Sequence, residues 1–195
     1  QFNMYFNNKY FHLAIYKKKH LNWKFLEKIN DIENVIDIGA AEGTPPLVYN
    51  FPKANYYYFE PLESFNEKLI LFNKKNKINY QIFNVALSNY VGESVFNEVK
   101  LAPKCSSIHN LNNFWEGEKK DSTIKTKVSV DKLSNFKNKV FFENSIVKLD
   151  TQGNEIDVLE GADDEIFEKV KFFLIEISFH KRYEKQSTFD EIFML

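Results

Sequence analysis

Three acidic side chains stand where an apolar run of the chain gives way to a turn. Asp37 is followed by Gly39 and Gly43, Glu60 ends an aromatic run, and Asp150 ends a third apolar run. A carboxylate can accept hydrogen bonds from hydroxyl groups, balance a cation, or take a proton from a reacting group. In open α/β sheets such groups gather at the carboxyl ends of parallel strands, where ligands bind. The pattern therefore predicts one ligand site shared by these strand ends.

The turn at Gly39 and the acid at Glu60 have the spacing of a ribose-binding unit. Gly39 lets the backbone approach a ligand closely because it has no Cβ. Glu60 follows about 20 residues later, a distance at which a carboxylate can accept from both ribose hydroxyls. The alternatives are a plain tight connection at the glycine turn and a surface acid at a strand end. The order of strand, turn, helix, strand and acid favours ligand binding.

The absence of further glycines from the turn indicates which ribose ligand it suits. A dinucleotide fingerprint needs Gly-x-Gly-x-x-Gly to hold a pyrophosphate, whereas Ala41 replaces the second glycine and Asp37 would repel phosphate. An acid before the turn suits a cationic ligand that carries an amino group. S-adenosyl-L-methionine (SAM) combines a ribose, an adenine, a sulfonium and an amino acid end without phosphate, so we predict SAM as the cofactor.

Alternation of apolar runs with helical segments predicts an α/β fold with a mostly parallel sheet and helices on both faces. Residues 1–33 are expected to form one or two helices, followed by a single domain at 34–195. The strands are predicted at 34–39, 56–60, 79–84, 145–149 and 172–178, with further strands at 93–100 and 125–130. The carboxyl ends of the first five would bring together Asp37, Glu60, Asn84, Asp150 and Glu176.

Composition and charge narrow the function classes. The 195 residues carry a formal net charge of −1, whereas nucleic-acid binders usually show a basic face. We therefore predict no nucleic-acid partner and interpret the basic cluster at 17–20 as a solvated helix end.

No run approaches the ~18 apolar residues of a membrane span. The single cysteine, Cys105, has no metal-ligand spacing around it and favours a reducing, cytoplasmic location; we predict no metal.

Six motifs follow one another along the chain: Asp-Ile-Gly-Ala-Ala-Glu-Gly at 37–43, Glu-Pro at 60–61, Ala-Leu-Ser at 86–88 before Gly92, Ser-Ser-Ile at 106–108, Val-Ser-Val-Asp-Lys-Leu at 128–133, and Lys-Leu-Asp-Thr-Gln-Gly-Asn-Glu-Ile-Asp-Val-Leu-Glu-Gly-Ala at 148–162. Together they resemble the FkbM family of SAM-dependent methyltransferases. Two positions depart from the family pattern: Ala41 replaces Asn, which removes a polar contact to SAM, and Gln152 replaces Glu, which makes a metal role there less expected.

The resemblance implies the Rossmann-like sheet of class I methyltransferases and O-methylation of a sugar, glycan or other small molecule. Around SAM, the glycine turn is expected to frame the methionine end, Glu60 the ribose, and the end of the third strand the adenine. The expected cofactor contacts are Asp37, Gly39, Ala40, Ala41, Glu42, Gly43, Glu60, Pro61, Asn84, Val85, Ala86 and Asp150.

Methyl transfer to a hydroxyl needs a general base within reach of the acceptor proton. Asp150 is the first candidate for that base or for orienting the acceptor, although it could instead cap the following helix. Glu155 is a second catalytic candidate, although an acid in a first helical turn is also favoured by the helix dipole. His180 is a third, with a pKa suited to neutral pH, although it could simply be an exposed loop residue.

Residues 101–123 form a long irregular segment that is the candidate acceptor lid, with His109, Trp115 and Glu116. Aromatic and carboxylate groups suit a sugar, but the segment could equally be a loop without a role.

The family fold implies seven strands, and this chain ends before the final hairpin. We therefore expect missing C-terminal strands, a truncated domain and possible homo-oligomerisation through the open sheet edge.

Two other functions compete with O-methylation. A nucleic-acid amino-methyltransferase would carry an Asn/Asp-Pro-Pro-aromatic loop, which Asp-Thr-Gln-Gly at 150–153 does not resemble. A degenerate domain that binds SAM or a partner without turnover remains consistent with Ala41 and Gln152.

Overall fold

The computed structural model describes residues 2–7, 10–15, 23–100, 102–111, 123–177 and 182–193. Within these residues the chain forms ten strands and five α-helices. The strands are β1 (Phe2–Asn7), β2 (Tyr10–Ile15), β3 (Asn34–Ile38), β4 (Asn55–Phe59), β5 (Asn79–Phe83), β6 (Ala86–Leu87), β7 (Gly92–Val99), β8 (Thr123–Asp131), β9 (Ser145–Leu149) and β10 (Val170–Ile177). The helices are α1 (Pro45–Asn50), α2 (Asn66–Asn76), α3 (Glu155–Glu160), α4 (Asp164–Lys169) and α5 (Phe189–Phe193).

Seven of the strands form one sheet in the order β2-β1-β10-β9-β3-β4-β5. Strands β10, β9, β3, β4 and β5 run parallel, and β1 pairs antiparallel with both β10 and β2. The remaining strands form a smaller sheet, β6-β8-β7, in which β7 and β8 make a long antiparallel ribbon. The prediction of an α/β, mostly parallel, Rossmann-like sheet is confirmed.

The central strands are buried on both faces, because their side chains alternate between two hydrophobic cores. Ile36 and Ile38 pack in a first core with α3, α4 and the 3-10 turn Leu133–Phe136. Val35 and Tyr58 pack in a second core with α1, α2 and the 3-10 turn Trp23–Lys28. Helices therefore cover both faces of the sheet, as the alternation of elements predicts.

The predicted strands of the domain are found within two residues of their expected bounds, and β9 coincides with the prediction. The N-terminal prediction is wrong. Residues 2–7 and 10–15 are strands, and the helical part of this region is a 3-10 turn at Trp23–Lys28. The 3.6-residue spacing near that turn suggested helices, but the aromatic-rich sequence before it has the composition of strands.

The expectation of missing strands at the last edge of the parallel sheet is corrected as well. Strand β1 lies antiparallel along the outer edge of β10, pairing Phe2 with Ile177, and β2 lies outside it. The N-terminal hairpin thus occupies the edge that was expected to be open. Homo-oligomerisation through an open sheet edge stays a prediction, although it would not use the β10 edge, where β1 already pairs. Within the described ranges, no helix has the length and apolar content needed to cross a bilayer.

Candidate functional site

The loop after β3 and the loop after β9 touch at Gly39. Its φ is +72°, and a Cβ built on it would lie 2.0 Å from the carbonyl oxygen of Asp150. The Asp150 N–H in turn donates to the carbonyl oxygen of Ile38 at 3.1 Å. Glycine is required here for two independent reasons, a left-handed backbone and the lack of space. The strand ends predicted to share a site are therefore in direct contact.

Glu60 holds a fixed position just after β4. Its side chain is buried, with Oε2 accepting from the Ala41 N–H at 2.8 Å and Oε1 from the Leu62 N–H at 3.0 Å. Burial raises the pKa of Glu60 to about 7, against the lowering effect of these two N–H donors. Ala41 has a left-handed φ of +46° that turns its N–H towards the carboxyl group. The carboxyl group is preorganised, with lone pairs left to accept from a ligand.

A cavity opens beside Glu60, between the carboxyl ends of the strands and the smaller sheet. About 380 Å³ of empty space lies in it and at its mouth, part of which is open solvent. It is lined by Ile38, Gly39, Phe59, Glu60, Pro61, Val85, Ala86, Leu87, Phe96, Ile108, Thr151 and Asn154. The walls are mainly apolar and the polar groups few, the composition expected of a pocket for a base and a sugar.

Asn154 contributes a buried polar group to the cavity wall. Its Nδ2 donates to the carbonyl oxygen of Leu87 at 2.8 Å, which fixes the orientation of the amide. Its Oδ1 is buried and accepts no hydrogen bond of good geometry from the described residues. The ring of His109 lies beside it, and burial lowers the pKa of that histidine. A hydrogen bond with the Asn154 side chain acts against that lowering, so His109 is the polar neighbour of this amide.

The predicted cofactor contacts fall into three groups. Gly39, Glu60, Pro61, Val85 and Ala86 line the cavity, whereas Ala40, Ala41, Gly43 and Asn84 support it from behind. Ala40 is buried in the second core, a Cβ at Gly43 (φ +91°) would meet the Phe72 ring at 2.9 Å, and the exposed Asn84 donates through Nδ2 to the Glu60 carbonyl oxygen at 3.0 Å. Glu42, Asp37 and Asp150 form the third group and lie outside the lining.

Glu42 lies at the surface, paired with Lys68 at 2.6 Å and Lys104 at 3.0 Å. Asp37 is buried on the second face of the sheet, where its Oδ1 accepts from Lys148 Nζ at 2.9 Å. The position of Asp37 therefore favours holding Lys148 over meeting the cationic end of SAM directly.

Asp150 belongs to a charged cluster at the ends of β3, β9 and β10. Lys148 Nζ lies 3.5 Å from its Oδ2, and Gln152 Nε2 donates to its Oδ1 at 2.7 Å and to Glu176 Oε2 at 3.1 Å. Burial acts to raise the pKa of Asp150, but Lys148 and hydrogen bonds from Glu176 and Gln152 outweigh it, so the pKa lies below its usual value. Burial and the charge of Asp150 raise the pKa of Glu176 well above its usual value. Asp150 is therefore the more acidic of the two carboxyl groups.

Glu155 is occupied within its own loop. Its Oε1 accepts from the N–H of Thr151 at 2.9 Å, and both its carboxylate oxygens lie within 3.2 Å of the Gly153 N–H. Burial raises its pKa, against these N–H donors. This geometry favours shaping the loop after β9 over direct proton transfer.

Of the candidate acceptor lid, the structure describes residues 102–111 and Thr123. Ser107 is buried and its Oγ donates to the carbonyl oxygen of Gln152 at 2.8 Å, so the 102–111 segment is attached to the loop after β9. His109 reaches the cavity wall through Asn154. Trp115, Glu116 and the catalytic candidate His180 lie outside the described residues. In the parts of the chain that are described, no group of three or more His, Cys, Asp or Glu side chains is arranged to hold a metal ion.

Sequence reasoning missed the contributions of Lys148, Asn154 and Tyr183. Lys148 lies between apolar residues in a buried five-residue strand, and a charge inside a fully buried strand must be paired, so its position was an available signal. Asn154 and Tyr183 carried no such signal, because their roles depend on contacts with Leu87 and Gln152 that are remote in sequence.

Comparison with known proteins identifies the family. The model of the methyltransferase FkbM domain matches residues 37–195. No curated protein is significantly similar to the chain. A crystal structure of methyltransferase FkbM from Methylobacillus flagellatus KT is similar with a TM-score of 0.42 and 13% identity over 68% of this chain and 29% of that chain. This chain thus spans less than a third of that protein, and at this score the likeness adds nothing to the assignment. The family match covers most of the chain, which belongs to the FkbM methyltransferases.

Proposed function

We propose that the domain transfers a methyl group from SAM to a hydroxyl group of a sugar, a glycan or another small molecule. The observation that carries the proposal is the buried Glu60 carboxyl group, held by two backbone N–H groups at the edge of a cavity next to the Gly39 turn. A preorganised carboxylate beside a glycine turn suits the two hydroxyls of a ribose. Membership of a methyltransferase family supplies the reaction class.

The cavity fits the adenosine part of SAM in further respects. Val85, Ala86 and Leu87 provide an apolar wall suited to a planar base. Asn154 and Thr151 add polar side chains to the lining, and Gly39 adds backbone atoms. These features support SAM over a dinucleotide, whose pyrophosphate the turn lacks the glycines to hold.

When bound, SAM supplies an electrophilic methyl group on a sulfonium. A new bond forms between the acceptor oxygen and that carbon as the bond from carbon to sulfur breaks, and the acceptor proton must leave. We assign the proton to Asp150, the ionised carboxylate of the charged cluster, whose side chain is about one-third exposed. The protein's task is to hold the acceptor oxygen about 3 Å from the methyl carbon and to exclude water.

The first test is calorimetric titration of the purified chain with SAM and with S-adenosylhomocysteine. We expect micromolar binding of both, weakened at least ~10-fold in Glu60→Gln because a ribose acceptor and a loop contact are lost. The matched control is Glu63→Gln, an exposed acid in the turn that follows Glu60, which should bind like the wild type. Failure of a demonstrably folded chain to bind either compound would refute the proposal.

The acceptor class is tested with radiolabelled SAM and a panel of sugars, glycans and small alcohols. We expect label in a base-stable ether product and no transfer by Asp150→Asn, which cannot take the proton. Binding of SAM without transfer to any hydroxyl acceptor would instead indicate a cofactor-binding domain without turnover.

A further inference from the structure

Gln152 bridges the two carboxyl groups of the charged cluster. It follows β9 with a left-handed φ of +58°, a conformation that non-glycine residues rarely adopt. From this position its Nε2 donates to Asp150 at 2.7 Å and to Glu176 at 3.1 Å. One amide nitrogen thus satisfies acceptors on two different strands, β9 and β10, at the edge where the acceptor is proposed to react.

The orientation of the amide is fixed by Tyr183. Its buried hydroxyl group lies 3.0 Å from Gln152 Oε1 and 2.7 Å from the carbonyl oxygen of Cys105. The hydroxyl group could accept from a flipped amide, but the flipped amide oxygen would then face the Asp150 carboxylate, which has no proton to donate. The amide oxygen therefore faces Tyr183 and the NH₂ group faces the carboxyl groups.

The backbone of Gln152 is held from the lid side as well. Ser107 Oγ donates to the Gln152 carbonyl oxygen at 2.8 Å. A Cβ at the following Gly153 would meet side-chain atoms of Tyr183 and Gln186 at 3.3 Å, so the 182–186 segment packs tightly against this loop. Contacts from two separate segments of the chain therefore hold the loop at Gln152 and Gly153.

The charges that face the pair come from every neighbouring strand and helix. Lys148 lies beside Asp150 on β9, Asp37 faces Lys148 from β3, and Glu155 lies at the start of α3. Among these described side chains there is one ammonium group and four carboxyl groups, and two adjacent carboxyl groups cannot both be ionised without cost. The NH₂ group of Gln152 is a neutral donor that holds the two carboxyl groups together without adding a charge.

We propose that Gln152 is a positioning residue that joins Asp150 and Glu176 into one acceptor-activating pair and links this pair to the 105–107 segment. The inference rests on the proposed function, because it takes Asp150 as the group that receives the acceptor proton. In the transfer, the acceptor O–H proton passes to the Asp150 carboxylate, the new bond to carbon forms, and the sulfonium becomes a neutral thioether. Glu176 keeps its own proton and hydrogen-bonds to Asp150 throughout.

The first experiment needs no methyl donor. The carboxyl groups of the purified chain are titrated by infrared difference spectroscopy, and the carboxylic acid band that Glu176→Gln removes identifies Glu176. In Gln152→Met we expect the titration midpoint of Asp150 to rise by about one pH unit, because its ionised form loses a donor. The matched control is Gln81→Met, an exposed glutamine on β5, which should leave the midpoint unchanged. An unshifted midpoint in folded Gln152→Met would overturn the inference.

The second experiment follows turnover. In Gln152→Met the acid limb of the kcat profile should move up by about one pH unit, with the Kd for SAM unchanged within about twofold. Tyr183→Phe removes a contact to the Gln152 amide oxygen and should shift the acid limb of the kcat profile in the same direction, but by less. This variant remains informative if Gln152→Met fails to fold. A fall in kcat without any shift of the profile would mean a purely structural role and would refute the proposal. If the wild type binds no SAM, the proposed function fails, and the infrared titration alone decides the role of Gln152.

Discussion

At the scale of single residues, the candidate site is a set of buried polar groups whose partners are mostly backbone. Glu60 accepts from two N–H groups, Asn154 donates to a carbonyl oxygen, and Glu155 accepts from the loop that precedes it. Such contacts fix side-chain positions before any ligand arrives. Asp37 and Lys148 form a buried pair that closes the β3 and β9 strand ends. The polar interior thus stabilises a geometry at the expense of desolvating charge.

Glu60 makes the stability of the ligand-free protein depend on pH. Its pKa is raised from 4.5 to about 7, so its contribution is fully present below pH 4.5 and is lost as the pH rises through 7. In the wild type this loss amounts to about 3 kcal/mol, and Glu60→Gln has no such ionisation. We therefore expect the stability of the wild type relative to Glu60→Gln to fall by about that amount between pH 4.5 and 8, measured by urea unfolding. A constant difference across this range would contradict the assignment.

At the scale of elements, the connections after β3 and β9 decide whether the strand ends meet. Gly39 is the contact point, because a side chain there would overlap the carbonyl oxygen of Asp150. The smaller sheet then closes the cavity, with Phe96 from β7 and Ala86 from β6 in its wall. The cavity depends on both sheets and not on the parallel sheet alone.

Gly39→Ala tests this contact. We expect it to destabilise the domain by about 2–4 kcal/mol, from the left-handed φ and the overlap with the Asp150 carbonyl group, and to abolish SAM binding. Gly92→Ala is the comparison, since Gly92 also has a positive φ, +156°, but its Cβ would have no neighbour closer than 4.0 Å. Both are measured by urea unfolding and calorimetry. Equal effects of the two substitutions would mean that the contact between the two loops is unimportant.

The sequence predicted elements better than it predicted partners. The alternation of apolar residues located every strand of the parallel sheet, and the acid about 20 residues after Gly39 located Glu60 beside the cavity. Local patterns could not reveal that Asp37 pairs with Lys148 or that Gln152 bridges two strands, since these contacts depend on tertiary packing. The N-terminal helices were predicted wrongly because a short stretch of helical spacing near residue 25 was extended over a hairpin.

At the scale of the whole molecule, the parallel sheet divides two hydrophobic cores. The cavity lies at the carboxyl ends of its strands. The third apolar cluster, around Phe96 and Val128, lies under the smaller sheet beside the cavity. A ligand seated there would contact the parallel sheet and the smaller sheet together. Its binding should therefore stabilise both sheets together against unfolding.

Cofactor binding is expected to stabilise the whole domain. At a free concentration of S-adenosylhomocysteine of about 100 times its Kd, linkage gives about 2.7 kcal/mol. For a domain of this size that corresponds to a rise in Tm of about 5–10 °C. Differential scanning calorimetry at several concentrations measures it, and Glu60→Gln should need a proportionally higher concentration for the same rise. An unchanged Tm at a saturating concentration of S-adenosylhomocysteine would contradict binding in this cavity.

The hairpin on the edge of β10 has a consequence for the order of folding. Strand β1 pairs with a strand near the other end of the described chain, from Phe2 to Ile177. During synthesis β1 and β2 leave the ribosome before the other described strands, yet the edge that they complete forms only after β10 has emerged. Until then β1 has no β10 to pair with, and a contact of such long sequence separation forms slowly. Chaperone dependence during synthesis should therefore fall sharply once residue 177 has left the exit tunnel.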